Sequence, residues 1–352
     1  METDDQAERG IEPIERVRFA IVGCGHIGKR HIEMIQRNSK AELAAICDIL
    51  PFEQLNLPPP LRKCPFFTDL EALLNSKIEW EVLNICTPNG LHAPMALRGL
   101  ETGHHVVIEK PMSLNALDAK NILSTANQYA KNVFCVMQNR YSPPSVWIKD
   151  VVTSGLLGAI YLVQINCYWN RDERYYTPGN WHGSKDLDGG TLFTQFSHFI
   201  DLMYWLFGDI ADIRAHFENF NHQSLTDFED SGIVTFRFVK GERGIFCYST
   251  SVYDANFESS VTIIGENGTV KIGGQYMNEV EYCHIKDYKM PPLPPTNPGN
   301  DYGTYKGSAQ NHHYVIDNVI NVLQNKKGET ITTNAYDGYK VVDIIERIYS
   351  AC

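Results

Sequence analysis

Val17-Arg18-Phe19-Ala20-Ile21-Val22-Gly23-Cys24-Gly25-His26-Ile27-Gly28 is the stretch that decides the fold. A short apolar run ends in G-x-G-x-x-G, and helical spacing follows from Ile27 to Asn38. The first glycine permits a tight turn, the second lets a pyrophosphate approach the backbone, and the third lets helix and strand pack closely. The helix N-terminus then faces the phosphates, where free N–H groups favour negative charge. Glycines are common in turns, so the motif alone decides little. Asp48 strengthens it, because it closes the next apolar run, Glu42–Cys47, about twenty residues beyond Gly28, where a carboxylate accepts from both ribose hydroxyls. The pattern predicts a dinucleotide cradle of Gly23, Gly25, His26, Ile27, Gly28 and Asp48. Asp48 repels a 2′-phosphate and no arginine immediately follows it, so NAD is expected rather than NADP.

Outward from this stretch, apolar runs alternate with helical ones. Glu81–Cys86, Val106–Ile108 and Val133–Met137 read as strands, separated by helix-like Gly90–Thr102 and Asn115–Ala130. Near-continuous apolar strands between amphipathic helices call for a parallel sheet covered on both faces. A Rossmann domain is expected over 17–141, behind an acidic, polar tail at 1–16. After Pro143-Pro144 the pattern changes to strands at Ala159–Trp169, Ile213–Phe217, Ile233–Val239, Gly244–Val252, Val261–Ile264, Thr269–Ile272 and Glu279–His284, with one predicted helix, Leu192–Phe207, among them. Glu266-Asn267-Gly268 is hairpin chemistry, since Asn and Gly tolerate positive φ. The fold class is therefore α/β: a doubly wound parallel sheet, then an α+β domain over 142–352 with a large, mostly antiparallel, open-faced sheet. The Pro-rich stretch from Met290 to Gly299 reads as a loop, and a last helix at Tyr336–Tyr349 is placed to pack back on the first domain.

The whole chain sets limits on function. Its 352 residues suit two domains, and 43% hydrophobic with 21% charged residues is a globular composition. A formal net charge of -11 argues against a nucleic-acid partner, which would need clustered Lys and Arg. No apolar run is long enough to span a membrane and the N-terminus does not resemble a secretory signal, so a cytoplasmic protein with no membrane partner is expected. Nine scattered cysteines, without a C-x-x-C pair, read as reduced thiols, several of them in the core, and no metal site is expected. An exposed face on so large a sheet points to a homo-oligomer, a dimer or tetramer built face to face.

Ligands of doubly wound sheets sit outside the carboxyl ends of the strands. Two such ends carry Thr87-Pro88-Asn89-Gly90-Leu91-His92 and Glu109-Lys110-Pro111. Taken alone, each is equally well read as loop chemistry or a solvated pair. With Gly155-x-x-Gly158 and Gly189-Gly190 leading to His198-x-x-Asp201, they follow in order over nearly the whole chain. This set resembles the family of glucose–fructose oxidoreductase, inositol dehydrogenase and related sugar dehydrogenases. Within it, Arg171, Tyr175-Tyr176, Trp181-His182-Gly183 and Gln195, together with Val261–Asn278, look most like UDP-N-acetylglucosaminuronate 3-dehydrogenases that serve bacterial cell-surface (O-antigen) amino-sugar synthesis.

The resemblance implies an NAD-dependent oxidoreductase acting on a sugar hydroxyl, with Lys110 and His198 as the catalytic pair. Thr87, Pro88, Asn89, His92, Glu109, Gln138 and Trp181 join the cofactor side. Arg140, Arg171, Tyr175, Tyr176, Thr194 and Gln195 join Lys110 and His198 on the substrate side, with Arg174 a further guanidinium for a diphosphate or carboxylate. The residues agree as far as they go: oxidation of a carbinol needs a base, and partial burial beside a cation lowers a lysine's pKa. On a single helix Thr194, His198 and Asp201 share a face, which would let Asp201 orient the imidazole. Two departures stand out: relatives commonly have Asp or Asn where this chain has Thr194, and Trp-Arg where it has Trp181-His182. Alternatives from the residues remain a free polyol or aldose as substrate, or a non-catalytic NAD sensor.

Overall fold

The computed structural model describes residues 15–303 and 305–352. Most of the expected 1–16 tail lies outside the described residues. The first half runs β1 (Val17–Val22), α1 (His26–Arg37), β2 (Ala41–Cys47), β3 (Phe66–Phe67), α2 (Leu70–Leu74), β4 (Val82–Ile85), α3 (His92–Glu101), β5 (His105–Ile108), α4 (Ala116–Gln128) and β6 (Val133–Cys135). Its six strands lie in the order β3-β2-β1-β4-β5-β6 and every pairing is parallel. The near-continuous burial of β1, β4 and β5 is what helices on both faces impose. The order reverses between β1 and β4, which opens the crevice in which ligands of such sheets bind.

The second half runs α5 (Pro143–Thr153), β7 (Ile160–Tyr168), α6 (Thr191–Thr194), α7 (Ser197–Phe207), β8 (Ile210–Glu218), β9 (Ser231–Phe238), β10 (Arg243–Ser249), β11 (Glu258–Gly265), β12 (Gly268–Gly273), β13 (Glu279–Ile285), β14 (Gly299–Asp301), β15 (Lys306–Ala309), α8 (His312–Leu323) and α9 (Ala335–Tyr349). Its seven-stranded sheet has the order β13-β12-β11-β7-β10-β9-β8, antiparallel except where β7 meets β10. Alternation is plain on β9, where Val234, Phe236 and Phe238 are buried while Ile233 and Thr235 are exposed. The buried face packs on α7, whose Phe199, Ile200, Leu202, Met203 and Leu206 join one core with the strands.

Several expectations change. Three helices escape the sequence reading, α2, α5 and α8; α5 begins with the two prolines that looked like a boundary, a position where the missing N–H costs nothing. The single helix predicted over Leu192–Phe207 is two, broken at Gln195-Phe196. The β11–β12 hairpin forms, but its turn does not use positive φ; that conformation falls on Gly158, which lies against Glu266 and Asn267. The last helix does pack on α4 and β6 of the parallel sheet, and it also contacts α7 and β8. The nine cysteines are all free, five of them buried.

Candidate active site

Three glycines, two of them crowded, define the cradle at the end of β1. A Cβ on Gly28 would lie 1.9 Å from the oxygen of Gly23, and one on Gly23, at φ +88°, would lie 2.6 Å from the oxygen of Cys86. Gly25 differs: nothing lies within 4 Å of its would-be Cβ. The strand–helix junction is therefore closed from within and open outward, and no side chain caps the N-terminus of α1. Those free N–H groups and the open side of Gly25 fit a dinucleotide pyrophosphate. Asp48, at the end of β2, accepts from the amides of Cys24 at 2.6 Å and Leu50 at 2.9 Å, which fixes its carboxylate beside the cradle.

The next strand end is knitted across the molecule. His92 has both ring nitrogens on carbonyl oxygens, Pro111 at 2.7 Å and Thr87 at 2.9 Å, so it ties the Thr87-Pro88 turn to the segment after β5. Asn89 is buried, and its Nδ2 donates to Asp188 O at 2.9 Å and to Thr194 Oγ1 at 2.6 Å. These side chains, expected to hold cofactor, are engaged with the protein instead. Glu109 also faces inward, accepting from His31 Nε2 at 2.9 Å, with His312 Nε2 3.8 Å away. The three ligand atoms lie within 4.8 Å of one another, a spacing a cation can use, but 2.9 Å is a hydrogen bond, and Asn84 Nδ2 at the other ring nitrogen of His31 fixes the donor. Burial pushes the Glu109 carboxyl up, yet the hydrogen bond and charge of His31 outweigh it and bring it down to about 2.

Lys110 stands at the centre. Its Nζ donates to the backbone oxygen of Thr194 at 2.6 Å, joining the end of β5 to α6. Burial lowers its pKa, Arg171 pushes the same way, and Glu109 and Asp188 oppose them. His198, in the first turn of α7, is 3% exposed, and its Nδ1 has no hydrogen-bond partner among the described residues. Burial and the Lys110 charge hold this imidazole well below its usual pKa, so it is neutral at pH 7. Asp201 does not orient it. Its carboxylate is engaged elsewhere: Asp201 takes a two-pronged bond from Arg140, Nε at 2.8 Å and Nη2 at 2.6 Å, with both partners buried. Arg140 is thereby removed from the substrate guanidiniums, and Arg174, exposed and paired with Asp172 and Asp254, is removed as well.

Arg171 is a different matter. It is 2% exposed, lies over the rings of Trp169, Tyr175 and Tyr305 at 4.9 to 5.1 Å, and has no carboxylate partner among the described residues. Four of its five N–H groups are met: Gln195 Oε1 at 2.7 Å, Asn170 O at 2.5 Å, Asn256 Oδ1 at 3.2 Å and Lys306 O at 3.1 Å. Gln195 orients this guanidinium and donates to the Tyr175 hydroxyl at 2.9 Å. Tyr176 turns toward His222 and Phe228 in the interior. His182 sits edge-on to Tyr175 at 4.3 Å and against Trp181 at 3.9 Å, its Nδ1 buried and without a hydrogen-bond partner among the described residues, and burial beside Lys110 and Arg171 drives its pKa to about 3. Gln138, expected on the cofactor side, is buried, with no hydrogen-bond partner for Oε1 among the described residues.

Sequence reading missed a row of rings and a carboxyl. Tyr302 meets His26 at 5.5 Å and Tyr305 at 4.9 Å, so the β14–β15 hairpin bridges the dinucleotide cradle and the Arg171 cage. The only signal was the spacing of the two tyrosines after the Pro-rich loop. Asp188 was hidden because its role depends on contact with Asn89 and Thr194.

Residues 17–137 match the oxidoreductase family with an NAD-binding Rossmann fold, and residues 146–271 match the GFO/IDH/MocA C-terminal domain. The solved WlbA dehydrogenase of Bordetella pertussis, in complex with NADH and UDP-GlcNAcA, superposes with a TM-score of 0.84 at 30% identity over 96% of each chain. The chain belongs to the Gfo/Idh/MocA oxidoreductase family. Among other members, the WlbA dehydrogenase of Chromobacterium violaceum, also with NADH and UDP-GlcNAcA, gives a TM-score of 0.84 at 27% identity over 96% of this chain and 95% of that one. The D-glucoside 3-dehydrogenase of Escherichia coli is 27% identical over 57% of each chain. As a Gfo/Idh/MocA oxidoreductase the protein is an NAD-dependent enzyme, and the cradle at Gly23–Gly28 with Asp48 is where that cofactor fits. No helix among the described residues is long and apolar enough to cross a membrane.

Proposed function

We propose that this enzyme oxidises a secondary hydroxyl of a nucleotide-linked sugar acid, with C3 of UDP-N-acetylglucosaminuronate as the position and cell-surface amino-sugar synthesis as the setting. The observation that carries the reading is Arg171, a buried guanidinium in an aromatic cage, without a carboxylate partner and close enough to Lys110 to lower its proton affinity. A buried cation is costly unless paired. A substrate carboxylate can take the remaining N–H and supply the missing charge. A free polyol offers no such group. The similarity to two solved dehydrogenases that hold UDP-GlcNAcA supports the same choice.

NAD, held by the Gly23–Gly28 cradle and Asp48, would supply the acceptor for the hydride of the carbinol carbon. Lys110, as the neutral amine, takes the hydroxyl proton and becomes the ammonium, which the Thr194 carbonyl then holds. His198, neutral and with an unengaged nitrogen, holds the reacting hydroxyl in place. The outer sheet face, where Ile233, Ile264 and Tyr282 are exposed, is the surface on which a second copy would build the homodimer or homotetramer.

The test is NADH formation with UDP-N-acetylglucosaminuronate, myo-inositol and glucose offered in parallel, after bound NADH has been assayed. Turnover of the nucleotide sugar acid and little of the free sugars is expected. Activity on inositol or glucose alone would replace the reading with a polyol dehydrogenase, and no turnover of any sugar by NAD-loaded protein would favour a sensor.

A further inference from the structure

The ammonium form of Lys110 needs anions near it, and the two that face it are not equivalent. Glu109 is already bound to His31, with His312 beyond. Asp188, in the loop before α6, is 1% exposed and has no cation within salt-bridge distance among the described residues. Its Oδ2 accepts from the amide of Gly183 at 2.8 Å, and its Oδ1 accepts a short hydrogen bond from Thr194 Oγ1. The same Thr194 presents its backbone oxygen to Lys110 Nζ at 2.6 Å, and Asn89 Nδ2 braces the Thr194 hydroxyl from the parallel-sheet side. One residue thus links the lysine to a carboxylate that no other part of the reaction uses.

We propose that Asp188 is a positioning residue and the second counter-charge of Lys110, acting through Thr194 to hold the lysine in place and to set the pH at which it becomes a base. The inference rests on Lys110 as the base but not on the identity of the sugar. The groups facing the pair come from several elements. Lys110 faces Glu109 from its own strand, Asp188 from the loop before α6 and Arg171 from the segment after β7. His182, His198 and His312 also feel its charge, and burial holds all three below their usual pKa. Asp188 lies in the field of Lys110, and Tyr175, Tyr176, Glu229 and Tyr349 feel its charge. Burial lifts its own carboxyl to about 6, against its hydrogen bonds and Lys110, so it is ionised at pH 7 and becomes neutral below about 6.

Asp188→Asn removes the charge and can keep both bonds, with Oδ1 accepting from Gly183 and Nδ2 donating to Thr194. The experiment is competitive acetylation of the apoprotein across pH, with the labelling of Lys110 read by peptide mass spectrometry. Loss of an opposite charge that a buried lysine feels lowers its proton affinity, so Lys110 of Asp188→Asn should titrate about one pH unit or more below the unsubstituted protein. The reciprocal measurement guards against a misfolded variant: in Lys110→Met, Asp188 followed by carbon-13 NMR should titrate higher than in the unsubstituted protein, because coupling between two sites is mutual. Unchanged titration of Lys110 in folded Asp188→Asn, or of Asp188 in Lys110→Met, overturns the proposal. Neither readout needs a substrate: a shift without turnover of any sugar leaves Asp188 in this role and removes the sugar-acid reading, and turnover without a shift does the reverse.

Discussion

The two ends of the reaction site are built in different ways. The dinucleotide cradle is contiguous: Gly23 to Gly28 and the Asp48 carboxylate bonded to the Cys24 amide come from one β–α–β unit. The reacting side is assembled from afar. Lys110 meets Thr194 across 84 residues and Asn89 meets Thr194 across 105, while Arg171 meets Lys306 across 135. A contiguous site depends on local backbone geometry and tolerates change elsewhere; an assembled one depends on every segment that reaches it. That difference gives the cofactor half a simple dependence on glycines and one acid, and the reacting half a dependence on a network.

The largest effect that would break this contrast is at the base. Lys110→Met should lower kcat by about 10² to 10⁴ while NADH affinity, followed by fluorescence titration, stays nearly unchanged. Retention of most activity would move the base to His198 and uncouple chemistry from the network. Next comes the anion cage: Arg171→Met should reduce kcat/KM for a nucleotide sugar acid about a hundredfold or more, in line with removing one partner of a desolvated charge pair, and should matter far less for any neutral sugar. Equal losses on charged and neutral substrates would make Arg171 a purely structural cation.

The contrast is also what made one half legible from sequence and the other opaque. G-x-G-x-x-G followed by an acid twenty residues on is a local code, and the parallel sheet came with it. Lys110 and His198 were singled out by a family resemblance carried on motifs at a strand end and in a helix, and the structure brings both into the buried region around Thr194 and Arg171. The role given to Asp201 failed because Arg140, 61 residues away, claims the carboxylate, a contact that spacing along the helix does not reveal. Asn89 and His92 were placed on the cofactor by their position after β4, whereas their side chains close the site from behind. The tyrosines of the β14–β15 hairpin offered no more than their spacing after the Pro-rich loop; only tertiary packing puts Tyr302 on His26.

Two smaller effects sharpen the division. Asp201→Ala leaves the buried Arg140 guanidinium with only the longer carboxylate contact to Asp337 at 3.5 Å and should cost about 3 kcal/mol of stability, read as a lower denaturation midpoint, without changing the preference for NAD. A loss of cofactor selectivity in that variant would show that the two halves are coupled. Asp48→Ala should narrow the gap between NAD and NADP affinity about tenfold, roughly 1.4 kcal/mol by calorimetry, with little change in stability. An unchanged gap would take the ribose contact away from Asp48.

The most direct measurement follows the hydride itself. UDP-N-acetylglucosaminuronate carrying deuterium at C3 should yield, with unlabelled NAD and the purified enzyme, a reduced cofactor one mass unit heavier and a sugar that has lost the label. Unlabelled NADH from that substrate, or deuterium retained at C3 while NADH forms, would contradict oxidation at that carbon.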